Sequence, residues 1–150
     1  MTVVEKSVVV QTSLTIDASP DRTWSVFADL ERWREWNPVC LNAAATSGQL
    51  WKPGSGFRFT IKPWWRAITF QATVLECSPR SRVLWLGKGG GIYGQHTFTF
   101  EPEGEGTRVT SYEVFSGPML GLMPFFAPSA RVKDGLTRWL EALKERLEGR

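Results

Sequence analysis

Few residues in this chain of 150 could do chemistry. The only histidine, His96, lies in a segment of alternating apolar and polar residues, and the next such segment carries Ser111 and Glu113. Because a short turn joins the two segments, antiparallel pairing would set Phe98 opposite Ser111 and His96 opposite Glu113. An imidazole and a carboxylate that meet inside an apolar protein can share a charge-assisted hydrogen bond. Such a pair could orient a polar group of a ligand or move a proton.

Two interpretations of this pair are open. His96 and Glu113 either act as candidate catalytic residues or only satisfy each other, and a register slip of one residue would turn both outward. No Ser-His-Asp, Cys-His or paired-carboxylate arrangement is recognisable, and Ser111 lacks the local sequence that marks a nucleophile. The sequence therefore predicts a polar pair rather than a complete catalytic site.

Composition and charge narrow the classes of function. Cys40 and Cys77 are the only cysteines, and neither lies at metal-ligand spacing, so we expect two packed thiols, no metal and no cofactor. The net charge of +3 is spread along the chain, which argues against a nucleic-acid partner. The sequence has neither a long apolar run nor a secretory signal, so we expect a soluble cytoplasmic protein. Residues 87–91 (GKGGG) lack the spacing of a phosphate-binding loop and are expected to form a flexible loop.

The elements that would position the pair follow from the hydrophobic pattern. Residues 8–17 alternate as a half-buried strand does, with Val8 and Ile16 among the residues on its core face. Ser19 is a candidate N-cap, and Pro20 would open the first of two short helices, with a break near Asp29. Further strands are expected at residues 39–46, 56–62, 67–77, 82–86, 93–101 and 107–115, and apolar residues at helical spacing predict a helix over residues 129–148.

These elements predict one α+β domain over residues 1–150. Short connections require consecutive antiparallel pairing, so seven strands would form a curved meander wrapped around the long C-terminal helix, with the two short helices between strands 1 and 2. Loops at one end are polar apart from Trp51, whereas loops 63–66, 87–92 and 117–126 at the other end are apolar. We expect the second end to be a mouth that makes transient membrane contact through Trp64, Trp65 and residues 117–126. Alternatively, residues 119–126 only dock the final helix.

The chain has eight Trp and nine Phe residues but only two Tyr. Strand alternation turns many of these rings toward the final helix, where they would line a cavity or, alternatively, pack as an ordinary core. The predicted ligand-binding residues are Trp36, Phe57, Phe59, Ile61, Trp64, Phe70, Trp85, Phe98, Phe100, Ser111, Phe115, Phe126 and Trp139.

Several short motifs occur in an order that resembles a known superfamily. They comprise residues 16–24 (IDASPDRTW), 33–38 (WREWNP), 83–85 (VLW), 94–100 (GQHTFTF), 106–108 (GTR) and 113–117 (EVFSG). Together they resemble the START-related, or SRPBCC, superfamily of helix-grip proteins, and especially its polyketide cyclase/dehydrase-like branch. The resemblance implies a hydrophobic cavity between sheet and terminal helix, used by different members for lipid carriage, ligand sensing or ring closure. Related sequences often carry His where Ser111 stands here.

The first functional hypothesis is that the protein binds or transfers a hydrophobic small molecule, such as a lipid, a fatty acid or an aromatic polyketide, without catalysis. The second is an enzyme of the cyclase or dehydratase type, with His96 as acid/base and Glu113 as its orienting partner. A third is an interaction or membrane-surface protein. The sequence leaves open the ligand, the choice between carrier and sensor, and the oligomeric state.

Overall fold

A computed structural model describes residues 7–62, 67–120 and 129–149 of the chain. Over these residues the helices are α1 (Pro20–Ala28), α2 (Trp33–Trp36) and α3 (Ser129–Glu148), with a 3-10 turn at Leu30–Arg32 between the first two. The strands are β1 (Val8–Ile16), β2 (Cys40–Ser47), β3 (Gly56–Ile61), β4 (Ile68–Ser78), β5 (Arg82–Gly89), β6 (Ile92–Glu103) and β7 (Gly106–Ser116).

The described strands form one antiparallel sheet in the order β1-β7-β6-β5-β4-β3-β2. Strands β2 to β7 form a meander, and β1 lies at the edge of the sheet beside β7. Strand β1 pairs with β7 over its whole length, from Val8 opposite Phe115 to Ile16 opposite Thr107. The predicted fold is therefore confirmed: a seven-stranded curved sheet that grips a long C-terminal helix, with two short helices between strands 1 and 2. The strands alternate as expected, and Val10 and Ile16 of β1 are buried.

The short helices begin and end where the sequence indicates. The Ser19 hydroxyl accepts a hydrogen bond from the backbone N–H of Arg22, and Pro20 occupies the first turn of α1, where no N–H is needed. The chain leaves helical geometry at Asp29, as predicted. Helix α2 ends at Asn37, whose side-chain oxygen accepts hydrogen bonds from the backbone N–H groups of Val39 and Cys40. These two bonds direct the chain into β2.

The glycine-rich segment is more ordered than predicted. We expected a flexible loop over residues 87–91, but β5 continues to Gly89 and β6 begins at Ile92. Gly90 and Gly91, with φ of 58° and 77°, form the two-residue turn between them. Such turns need positive φ at both positions, which glycine adopts without a steric penalty. The glycines therefore close a tight hairpin.

Helix α3 packs against β1 and covers the inner face of the sheet. Its apolar side is buried, whereas Lys133, Asp134 and Arg138 face solvent. A hydrogen bond of 3.0 Å joins the hydroxyls of Thr12 on β1 and Thr137 on α3. In the described part of the chain, no helix is long and apolar enough to cross a bilayer. Over residues 132–148 of α3, the buried side chains are Leu136, Trp139, Leu140, Leu143 and Leu147.

Trp51 closes the end of the sheet that carries the polar turns. It has a φ of 71°, which is uncommon for a residue other than glycine, and this geometry folds its ring back over the core. Its indole N–H donates to the carbonyl of Ala28 at 2.8 Å, and its ring lies 5.5 Å from that of Phe57. Trp51 is therefore half-buried and packs against the core, which its position in a turn did not indicate.

Candidate functional site

The predicted pair lies at the centre of the inner face. His96 on β6 is directly opposite Glu113 on β7, and Phe98 is opposite Ser111, so the predicted register is confirmed. The distance from His96 Nδ1 to Glu113 Oε2 is 2.6 Å, which is short for a hydrogen bond and typical of one that involves a charge. His96 is 2% exposed and Glu113 is 8% exposed. The contact is therefore largely shielded from water.

Ser111 completes a hydrogen-bonded chain that the sequence did not predict. Its hydroxyl lies 2.7 Å from Nε2 of His96 and is fully buried. Ser111 and Glu113 are two residues apart on β7 and so share one face, where they are the diagonal and direct neighbours of His96. The two-residue spacing of Ser111 and Glu113 on one strand is the sequence signal for this chain. The order of groups, hydroxyl to Nε2 and carboxylate to Nδ1, is that of a Ser-His-acid triad.

Both ring nitrogens of His96 therefore have partners within the protein. The carboxylate of Glu113 accepts the Nδ1–H, which leaves Nε2 of the neutral ring to accept from the hydroxyl of Ser111. If the ring is protonated, Nε2 donates instead, and the hydroxyl of Ser111 can donate elsewhere. The chain can carry a proton between a carboxylate and a hydroxyl.

Aromatic rings surround this polar chain. The ring of Phe98 stacks on that of His96 with centroids 4.2 Å apart, and Trp85 lies 5.0 Å from His96 on the neighbouring strand. The ring of Trp139 on α3 meets that of His96 edge to face, with centroids 5.9 Å apart. A buried polar group is costly unless it is hydrogen-bonded, and each member of this chain has a partner within it. Rings from β5, β6 and α3 thus enclose a satisfied polar chain.

Some of the predicted ligand-binding residues form the core toward the polar end of the sheet. Phe98 and Phe100 contact the ring of Phe27 on α1 at 4.7 and 5.1 Å. Phe57 and Trp85 meet edge to face at 5.2 Å and contact Trp51 and Trp33. Trp139 packs on Trp33 with centroids 5.1 Å apart. For these residues, tight mutual packing is observed, and contact with a ligand stays a prediction.

The others lie toward the apolar end. Phe59 and Phe70 stack at 5.4 Å, Phe115 is buried beside Gly94, and Ile61 and Trp36 are half-buried. Two further residues predicted to bind the ligand, Trp64 and Phe126, lie outside the described residues, as does Trp65. The predicted mouth is therefore described only in part. There, Leu120 is buried, Met119 is 38% exposed, and the N–H of Met119 donates to the carbonyl of Gly91.

Neither cysteine is placed for reactivity. Burial raises the pKa of the Cys40 thiol from 9.0 to about 12, and burial also raises the pKa of Cys77. Thiolates, not thiols, are the nucleophiles and metal ligands. Within the described ranges, no three His, Cys, Asp or Glu side chains gather as a metal site would require.

The fold and the sequence both match known proteins. Residues 7–148 match the family described as polyketide cyclase/dehydrase and lipid transport. The chain belongs to this family. It thus has the START-like, SRPBCC helix-grip fold that its motifs suggested. No curated protein matches it in sequence.

Three solved structures illustrate the shared fold. A START superfamily protein from Mycobacterium smegmatis aligns with a TM-score of 0.80 at 17% identity, covering 94% of this chain and 97% of that one. The Zhui aromatase/cyclase from Streptomyces sp. R1128 aligns with 0.79 at 16%, covering 95% and 94%. TTHA0849 from Thermus thermophilus aligns with 0.80 at 19%, covering 95% and 98%. At these identities the likeness establishes the fold alone.

Proposed function

We propose that the chain binds and carries a hydrophobic small molecule, such as a lipid, a fatty acid or an aromatic polyketide, between the inner face of its sheet and α3. One observation carries the proposal: the chain Ser111–His96–Glu113 lies buried among aromatic rings on the face that α3 covers. Apolar rings would supply affinity by excluding water, and a few convergent polar groups would fix the orientation of the ligand. Membership of a family that includes lipid transport supports this proposal.

A bound ligand should reveal itself through stability. Protein purified from its own host is divided, and one half is denatured, freed of small molecules by gel filtration and refolded. A ligand at about 100 times its Kd stabilises the native state by about 2.7 kcal/mol, so the untreated half should melt roughly 5–10 °C higher. Native mass spectrometry should show the mass difference. Equal melting temperatures with no bound molecule would contradict the proposal.

The same hydrogen-bonded chain favours a second candidate, an enzyme of the cyclase or dehydratase type. Such reactions begin when a base removes a proton from the carbon next to a carbonyl. Because both nitrogens of His96 are occupied, the proton would pass to His96 through the hydroxyl of Ser111 while Glu113 holds the imidazole in place. This assignment refines the direct role that the sequence suggested for His96.

Proton removal can be tested without knowing the natural substrate. We would incubate 2-acetylnaphthalene with the protein in D₂O and follow the exchange of its methyl protons by NMR. An enzyme of this type should speed the exchange above the buffer rate, and both His96→Ala and Ser111→Ala should remove the effect while the ketone still binds. Exchange at the buffer rate despite measured binding, or exchange that survives His96→Ala, would rule out this acid/base role.

A further inference from the structure

Some buried N–H groups in the described part of the chain have no acceptor there. Over the described residues, the buried side-chain nitrogens without a hydrogen-bond partner are Trp36 Nε1, Asn37 Nδ2 and Trp139 Nε1. All three are donors, and they belong to the segment that ends α2 and to α3. A buried donor without a partner is costly, and native proteins rarely leave one. We therefore expect these donors to have an acceptor that does not belong to the described part of the chain.

Trp139 is the most informative of the three. It is only 3% exposed, and its ring lies 5.9 Å from that of His96 and 5.5 Å from that of Phe98. Two other indoles of the aromatic core have partners: Trp33 donates to the carbonyl of Phe27 at 2.6 Å, and Trp51 donates to a carbonyl of α1. The fold thus satisfies indoles elsewhere. The N–H of Trp139, beside the polar chain of the candidate site, has no acceptor among the described residues.

The charge of the interior limits what the acceptor can be. Among the described residues, the buried polar and charged side chains include one acid, Glu113, already paired with His96, and neither Lys nor Arg. A carboxylate or phosphate at this depth would meet neither Lys nor Arg there, and the one buried imidazole is already paired with the carboxylate of Glu113. Burying an unpaired anion costs far more than burying a neutral oxygen. The interior therefore favours a neutral acceptor.

We infer that Trp139 Nε1 donates a hydrogen bond to a neutral oxygen at the buried end of the bound molecule, as a ketone, ester or quinone carbonyl would provide. This inference rests on the proposed function and narrows it. Among hydrophobic ligands, the site would select oxygenated neutral molecules over plain hydrocarbons, and it would not accept the carboxylate of a fatty acid as the buried end.

Three probes of similar size test the inference: the ketone 2-acetylnaphthalene, the hydrocarbon 2-ethylnaphthalene and the carboxylate 2-naphthaleneacetate. Titration calorimetry would measure the Kd of each for the wild type, for Trp139→Phe and for the control Trp33→Phe, whose lost N–H was already paired. Phenylalanine keeps an aromatic ring and removes the N–H. We expect Trp139→Phe to weaken the ketone about tenfold more than the hydrocarbon, because both probes lose the same apolar contact with the smaller ring and only the ketone also loses a hydrogen bond.

Heteronuclear NMR of the indole N–H groups provides a direct readout. The resonance of Trp139, assigned from its loss in Trp139→Phe, should move downfield with the ketone and not with the hydrocarbon, while that of Trp33 stays in place with both. If no probe binds, the proposed function fails. Two outcomes would overturn the inference while the proposed function stands. In the first, the probes bind but Trp139→Phe weakens the binding of all three alike. In the second, the ketone and the hydrocarbon shift the Trp139 resonance alike, because a water molecule accepts its N–H. If the carboxylate probe binds more tightly than the ketone, the inference that the buried end of the ligand is neutral is wrong.

Discussion

Gly94 lies against the carboxylate of Glu113. A Cβ atom built on Gly94 would stand 2.8 Å from Glu113 Oε1, closer than such atoms approach in proteins, whereas Phe115 would be in ordinary contact at 3.5 Å. The absent side chain of Gly94 therefore leaves the space in which Glu113 turns toward His96.

We expect Gly94→Ala to displace the carboxylate of Glu113 and to weaken its bond to His96. The carboxylate is the end of a flexible side chain, so the displacement itself should cost about 1–3 kcal/mol in the free energy of unfolding. The Nδ1–H resonance of His96 in NMR spectra should move upfield or broaden. Gly87, which faces Gly94 on β5, is the control, because its Cβ would meet only Phe70 at 3.7 Å and a backbone oxygen at 3.8 Å, both ordinary contacts. An unchanged resonance in Gly94→Ala would contradict this account.

Ser111→Ala should destabilise the protein by about 1–3 kcal/mol in urea unfolding. The substitution leaves Nε2 of His96 buried without a partner, and an unsatisfied buried group loses more than the bond itself contributed. Ser13 on β1 offers a contrast, since its hydroxyl accepts from Arg108 in an exposed position. Ser13→Ala should change the stability by less than about 0.5 kcal/mol. Equal effects of the two substitutions would show that the buried chain adds nothing to stability.

Trp33→Phe should cost more stability than Trp139→Phe in ligand-free protein. Both substitutions remove the same volume from the aromatic core, but only the first leaves a carbonyl, that of Phe27, without its donor. The difference should be about 1–3 kcal/mol. Thermal and urea unfolding of the refolded, ligand-free variants would measure it. A larger loss for Trp139→Phe would mean that its indole N–H has a partner in the free protein.

Cys40 should make the stability fall as the pH rises above 9. Its thiol has a pKa of 9.0 when unfolded and about 12 when folded, because burial opposes the thiolate. Between these values the folded state holds more protons, so the free energy of unfolding decreases with pH, by at most about 1.4 kcal/mol per unit. Below pH 9 the thiol is protonated in both states, and its contribution is constant. Cys40→Ala should flatten this part of the profile, and an unchanged slope would refute the assignment.

The hydrophobic pattern and the turn residues determined the architecture. Alternation along each strand fixed which side chains face inward, and short connections required neighbouring strands to pair, so the register of His96 with Glu113 followed from the sequence. Ser19 and Pro20 marked the start of α1 for equally local reasons. The prediction of a flexible loop over residues 87–91 is wrong, because the backbone freedom of glycine suits a loop, while pairing with β6 holds residues 87–89 in a strand.

Only the tertiary structure decided how the inner groups meet. The bond from Ser111 to His96 depends on a diagonal approach across two strands, which alternation alone does not specify. Trp51 packs on the core through an unusual backbone angle, and Trp139 has no acceptor among the described residues because of where α3 lies on the sheet. Sequence periodicity assigns a residue to a face. The partner of each polar atom on that face depends on distances between segments far apart in the chain, and these are set when the sheet closes around the helix.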